Sequence, residues 1–295
     1  MKKVKLLFLL LFIIFTIGLL AKIGSFYKNK DISKNKMDFI HPQKFYNEGL
    51  FQLGVEQVTA NGSNINYHIH GGVIPHDIFP GFMIADFFNS LVKQNPKTIV
   101  ILGPNHQEKG DFAVITSNYG WNTAFGVVEP DKELIKKILN SDIVGLNKDL
   151  LTNEHAVAAI MPFIEYYLPD AKVVPLIISG LTTSSDIDSL LKNLVVDDFK
   201  NYIFVVSVDF SHYLNKNQAD ENDIQTIKYI EDYNYQKLLS LNNDYLDSPA
   251  AIVAVLRIMK QIGKTNIKTL HHKNLQDLTT EDVNQTSSYY TLVFY

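Results

Sequence analysis

The sequence predicts an α/β protein. It reads as a single globular domain with a central, largely buried mixed sheet flanked by helices, preceded by an N-terminal membrane anchor. Three observations carry that expectation. "KTIVILGPNH", 97–106, "KVVPLIIS", 172–179, and "NYIFVVSVDFSHY", 201–213, are near-continuous apolar runs, as strands covered on both faces should be. Between such runs lie segments with apolar residues at helical spacing. From about residue 44 to 295 there is no second linker, repeat or low-complexity block, and that length is ample for one sizeable core.

The N-terminus reads differently. Lys2, Lys3 and Lys5 precede an apolar run from Leu6 to about Ala21. The run is a little short for a spanning helix of roughly 20 residues and slightly long for the apolar part of a signal peptide. Residues 1–25 are therefore expected to be a signal-anchor or signal peptide, with an uncleaved anchor preferred because no small-x-small cleavage site follows. The early lysines favour an N-terminus in the cytoplasm. The expectation is a membrane-anchored or secreted protein with its folded domain on the extracytoplasmic side. Residues 26–43 are polar and Lys/Asn-rich, and read as a tether. The α/β domain is placed at 44–295.

Taken in order, "NINYHIHGGVIP", 64–75, alternates and then meets glycines, so it reads as a strand running into a loop. Residues 81–94 are a helix, 97–106 a buried strand and 111–117 a further strand. The stretch 131–141 is an amphipathic helix. Residues 153–169 are one helix that Pro162 would kink. Two strands, 172–179 and 201–213, enclose a Ser-capped helix at 184–195. A long helix covers 219–240, another 248–262, and 287–295 is a terminal strand.

Composition excludes several classes. The chain has no cysteine, hence no disulfide framework, thiolate nucleophile or cysteine-type zinc site. Net charge is −4, with no broad basic field to suggest a nucleic-acid partner. "GGVIP" lacks the glycines and the Lys-Ser/Thr of a phosphate loop.

What remains is histidine chemistry. His76, His106 and His212 each follow a buried strand, where α/β proteins gather their chemistry. Proline stands just before His76 and two residues before His106, and presets the backbone there. Two histidines with one carboxylate form an open site for iron(II) or catalytic zinc. Asp77, Glu154, Asp209 and Asp247 are the candidate acids. Glu154 and His155 stand at a helix start, either behind an Asn153 cap with Glu154 favourably near the helix dipole, or as an acid and base facing a cleft. Ser211 beside His212 lacks the G-x-S-x-G elbow of a nucleophile. His271 and His272 read as a strand or surface pair, and Trp121 as a core anchor or a pocket wall.

In order along the chain, "GGVIPHDIFPG", "IVILGPNHQEKGDFAVITS", "WNTAFGVVEPD", "NEHAVAAIMPFIEYYLPDAKVVPLIIS" and "VVSVDFSHY" resemble the Memo-like family, whose bacterial and archaeal members are called AmmeMemoRadiSam system protein B. The resemblance covers roughly 45–295. It implies a fold similar to class III extradiol ring-cleaving dioxygenases, which hold non-haem iron with two histidines and a carboxylate. By that resemblance His76 and His106 match the family's two metal-ligand histidines. Asp209 and His212 match its pocket aspartate and histidine, and Glu154 and His155 its "EH" pair. The family's third ligand is commonly a cysteine before a late helix, and in this chain Asp247 of "YLDSPAAIVAVL" takes that place. Asp77 replaces a small residue after the first histidine.

The resemblance thus implies one iron(II) or zinc(II) per chain on His76, His106 and Asp247. His212 would be the general acid/base, oriented by Asp209, while Glu154 and His155 orient substrate or water. Asp77, Asn105 and Trp121 would line the substrate side. The sequence leaves open a metal-dependent oxidoreductase or hydrolase acting on a small substrate, and a non-catalytic protein binding a metal, small molecule or peptide in the same pocket.

Overall fold

The computed structural model describes residues 40–194, 198–281 and 283–295. The elements run β1 Ile40–His41, α1 Glu48–Asn61, β2 Gly71–Ile74, α2 Gly81–Leu91, β3 Thr98–Pro104, β4 Val114–Thr116, β5 Gly120–Thr123 and β6 Gly126–Val128. Next come α3 Lys132–Ile138, β7 Val144–Leu146, α4 Lys148–Asn153, α5 His155–Ala158, α6 Met161–Tyr167 and β8 Lys172–Ile178. The remainder is α7 Ser184–Asn193, β9 Tyr202–Ser207, α8 Lys216–Glu231, α9 Tyr235–Leu238, α10 Pro249–Gln261, β10 Ile267–Asn274, α11 Leu275–Leu278 and β11 Ser288–Phe294.

Eight strands form one mixed sheet in the order β10-β11-β2-β9-β3-β8-β4-β7. Its centre, β2-β9-β3-β8, is parallel throughout, while β11 and β4 join antiparallel on either side. Side chains alternate across a strand, so the apolar runs feed two cores. Val100, Leu102, Val174 and Val206 face α3, α7 and α10. Ile99, Ile101, Val173 and Val205 face α1, α2 and α6. The predicted α/β fold with a buried mixed sheet is the one observed.

Several expectations are corrected. The glycines of 64–75 do not end the strand; they are the strand. A Cβ on Gly72 would lie 2.2 Å from a Phe87 ring carbon and 2.5 Å from the Leu292 carbonyl oxygen, so only glycine lets β2 pass between α2 and β11. The helix expected at 153–169 is two, α5 and α6, with Pro162 in the first turn of α6, where a missing N–H is harmless. The long helix at 219–240 breaks at Tyr233, which takes a φ of 52°. The run 201–213 is strand only to Ser207. His271 and His272 lie in β10, where neighbours face opposite ways. His271 Nε2 meets Asp86 Oδ2 at 2.7 Å and His272 Nε2 meets Asp223 Oδ2 at 2.9 Å.

The membrane anchor is also corrected, and with it the membrane partner and the extracytoplasmic location. Among the described residues no helix is long and apolar enough to cross a membrane. The longest, α8, has 16 residues, about 24 Å against a hydrocarbon core of roughly 30 Å, and most of them are polar. The apolar helices α2 and α10 have 11 and 13 residues and bury their apolar faces in the cores. Residues 1–25, where the anchor was expected, and 26–39 of the tether lie outside the described residues.

A second, three-stranded sheet, β1-β5-β6, contains Trp121. It is 1% exposed and stacks on His41 with ring centroids 4.1 Å apart. Trp121 is a core residue. Thr152 donates its hydroxyl proton to Lys148 O, so His41 Nδ1–H donates to Thr152 Oγ1 at 2.6 Å. His41 Nε2 then accepts from Ser117 Oγ at 2.7 Å. Burial, aided by Lys148, lowers the His41 pKa to about 4.

Two outcomes are expected. Gly72→Ala should destabilise the fold by about 1–3 kcal/mol through overpacking, read as a lowered Tm. His41 titrates near 6.5 once unfolded, so the unfolded chain binds an extra proton as pH falls from about 6.5 to about 4. Stability should drop across that window, and melting curves of His41→Gln should show a shallower drop.

Candidate metal centre

Because β2, β9 and β3 are parallel, their carboxyl ends share one edge of the sheet. Val208 N–H continues the pairing by donating to Ile74 O, so the segments after β2 and β9 leave together. Pro75 then places His76, 2% exposed, with its backbone N–H on Asp209 Oδ1 at 3.0 Å. Its Nδ1 donates to Ser207 O at 3.3 Å, which leaves Nε2 turned toward two acids. Asp247 Oδ2 lies 3.3 Å from that nitrogen and Asp209 Oδ2 3.5 Å.

His106 arrives from β3. Its Nδ1 donates to Glu154 Oε1 at 2.7 Å and its backbone N–H to Glu154 Oε2 at 3.0 Å. Its Nε2 faces Asp247 Oδ2 at 3.8 Å. Glu154 is 1% exposed and also caps α5, accepting from Ala156 N–H at 3.1 Å. The cap is therefore Glu154 rather than Asn153. Gly103 of β3 lets α5 close in: a Cβ there would lie 2.9 Å from that of Ala156. Ser207 Oγ clamps the same helix by donating to Ala156 O at 2.6 Å.

This packing brings in a third imidazole. His155 stacks on His106 with centroids 4.3 Å apart and stands edge-on to His76 at 4.8 Å. One ring nitrogen from each of His76, His106 and His155 falls within 4.8 Å of the others. Asp247 comes from the loop before α10. Its Oδ2 accepts from Asp209 N–H at 3.2 Å, while its Oδ1 is buried with no hydrogen-bond partner.

The electrostatics follow from three carboxylates around three imidazoles. Burial opposes a charge on His106, but the attraction of the nearby Asp247 carboxylate and the hydrogen bond to Glu154 outweigh it and raise the pKa to about 10. Burial and the neighbouring His76 and His106 lower His155 to about 4. Glu154 is held below the carboxylate range, since the His106 bond overcomes its burial. Asp209 is pushed up, by burial first and by Asp247, against the opposing pull of His76. His106 is therefore drawn toward its charged form, while His155 beside it is held toward its neutral form.

Not every expected residue joins this group. Asp209 engages His76 and not His212. His212 is half-buried, its Nδ1 has no partner, and its backbone N–H donates to Asn243 O. Asp77 accepts from Phe79 N–H at 2.9 Å and from the Tyr289 hydroxyl at 2.7 Å. Asn105 is buried; its Nδ2 donates to Lys109 O while its Oδ1 has no partner. Ser211 turns away, its Oγ donating to Asp223 Oδ1 at 2.7 Å. The sequence placed His155 at the site to orient substrate or water; that its ring nitrogen lies close enough to those of His76 and His106 to share a ligand was not read from it.

Residues 45–293 match the sequence profile of the family described as Memo-like protein. The chain belongs to the Memo-like family. It is similar to MEMO1 family proteins of three archaea. That of Pyrobaculum arsenaticum is 28% identical over 236 residues, 76% of this chain and 83% of the relative. That of Caldivirga maquilingensis is 26% identical over 247 residues, 80% and 87% of the two chains. That of Methanococcoides burtonii is 31% identical over 219 residues, 71% and 81%. The resemblance read from "PHD", "GPNH", "EH" and "VDFSHY" is thus the correct family. In this Memo-like chain those four motifs come from separate elements and converge on one edge of the sheet.

Removing the Glu154 carboxylate should release His106. In metal-free Glu154→Ala, the His106 imidazole followed by NMR should titrate well below the value near 10 set by the intact site. The fold should lose about 1–3 kcal/mol, because the N–H groups that Glu154 accepts from lose their partner.

Proposed function

We propose that this Memo-like protein is a metal-dependent enzyme acting on a small substrate, with one iron(II) or zinc(II) per chain held by His76, His106 and Asp247. One observation carries the reading. Both histidines have Nδ1 tethered to an acceptor, so both present Nε2 toward an Asp247 carboxylate that has a buried oxygen without a partner. Tethering of the far nitrogen is the arrangement that orients metal-ligating histidines. His155 stands within reach as a further donor. A nitrogen and carboxylate donor set suits iron(II) or zinc.

Iron(II) would supply oxygen-dependent oxidation of substrate, and zinc a Lewis acid for hydrolysis. The chain's own groups would do the rest. Glu154 positions His106 and His155. Asp209 fixes the His76 backbone by accepting its N–H. His212, whose buried Nδ1 has no partner in the protein, is placed to hold or move a proton.

One observation favours a second reading, a protein that binds a metal or ligand without turnover. Asp209 is engaged by His76, which leaves His212 with no carboxylate to orient it.

Elemental analysis of protein purified without chelator or affinity histidines tests the metal. About one iron or zinc per chain is expected, lost in a folded His76→Ala/His106→Ala variant. Glu154→Gln should weaken metal affinity by about 10–100-fold, as loss of an outer carboxylate does. No stoichiometric metal after anaerobic reconstitution with iron(II) would sink the reading.

A further inference from the structure

A cavity of about 380 Å³ adjoins the histidine cluster, within the size range of small-molecule sites. One wall is Ser179, Gly180 and Thr182, after β8. The other is the loop from Leu239 to Asp247 with the start of α10. Asp247 is common to the cavity and the cluster, its Oδ2 lying 3.3 Å from His76 Nε2. We propose that this cavity is the substrate site, and that it takes small neutral or cationic molecules bearing hydroxyl or amino groups while excluding carboxylates and phosphates. The assignment rests on the metal-dependent reading for its chemistry, though not for binding.

Charge is the first argument. The lining residues include two carboxylates, Asp244 and Asp247, and no lysine, arginine or histidine. A third carboxylate stands behind the wall: Glu108 accepts from Ser179 Oγ at 2.6 Å and from Gly180 N–H at 2.7 Å. An anion entering here would lose its water and meet like charge, with no cation in the lining to compensate. The start of α10 does not reverse this. Its first residue, Pro249, has no N–H, and Asp247 already stands just before the positive end of the helix.

Hydrogen-bond polarity is the second argument. Ser179 donates its proton to Glu108, and Thr182 donates its own to Ala113 O at 3.1 Å. With both hydroxyl protons committed, these oxygens can only accept from the cavity. The Asp244 and Asp247 carboxylates also only accept, and Asp247 Oδ1 has no partner in the protein. Asn242, Asn243 and Ser248 add side-chain donors to the lining, with Asn242 Nδ2 directed at Asp244 Oδ2 at 3.4 Å, but every charged group of the wall is an acceptor, which favours a ligand rich in donors. The apolar lining is Leu239, Leu241, Leu246, Pro249 and Ala250, so no ring is present to stack an aromatic substrate. This selects the polar substrate class over the aromatic one.

The test uses the full chain and four probes: ethanolamine, glycerol, glycolate and glycerol 3-phosphate. Ligand-observed NMR and calorimetry would follow binding, with metal content measured in the same samples. Ethanolamine and glycerol should bind at least tenfold tighter than the two anions. Asp244 is exposed, so Asp244→Lys should fold, keep its metal content, and weaken ethanolamine at least tenfold. Anions binding equally well, no probe saturating, or ethanolamine indifferent to Asp244→Lys would each overturn the assignment. Metal at one per chain with any of those results sinks the cavity assignment alone. Ethanolamine binding that depends on Asp244 in a protein unable to hold metal sinks the metal reading and leaves the cavity assignment standing.

Discussion

One buried carboxylate organises the edge of the sheet. Glu154 accepts from the backbone and ring of His106 and from the first turn of α5, so strand β3 and helix α5 share a single anchor. A buried carboxylate is tolerable only when hydrogen-bonded and balanced by positive charge. That requirement explains why His106 is drawn toward its charged form, and why His155, stacked against it, is kept neutral. The position of every imidazole in the cluster depends on that contact or on the Asp209 contact to His76.

The cluster is polar where the rest of the sheet is dry. Behind it, Ile101, Leu102, Val205 and Val206 are fully buried on one face or the other. The β2-β9-β3 ends point at the same edge because all three run parallel, and the loops that follow them carry Asp209, His76 and His106. Among the described residues, buried atoms without a partner include Asn105 Oδ1 and His212 Nδ1 in these loops and Asp247 Oδ1 in the loop before α10. The cavity lined by Asp247 opens beside this cluster.

Much of the fold was legible because apolar periodicity reports burial directly. Strands β3, β8 and β9 and helices α2, α7 and α10 fall where that pattern places them. The errors have local physical causes. Gly71 and Gly72 read as a loop because glycine usually ends a strand, and only the ring of Phe87 shows why no side chain fits. Tyr233 breaks a helical pattern through a positive φ that no residue type announced. Strand β10 is polar, so periodicity does not reveal it; its pairing with β11 does. The small sheet of β1, β5 and β6 escaped for a similar reason: its strands have four residues or fewer.

The sequence alone determined the α/β class with its mixed sheet and the family, because those depend on residue type and on spacing along the chain. It did not determine which of the candidate site residues face one another. That His155 joins His76 and His106, that Asp209 holds His76 and leaves His212, and that Trp121 lies in the core were decided by the tertiary structure. Each of these depends on contacts between residues far apart in the chain, set by how closely α5 can approach β3 at Gly103 and by which nitrogen of each imidazole a buried acceptor claims.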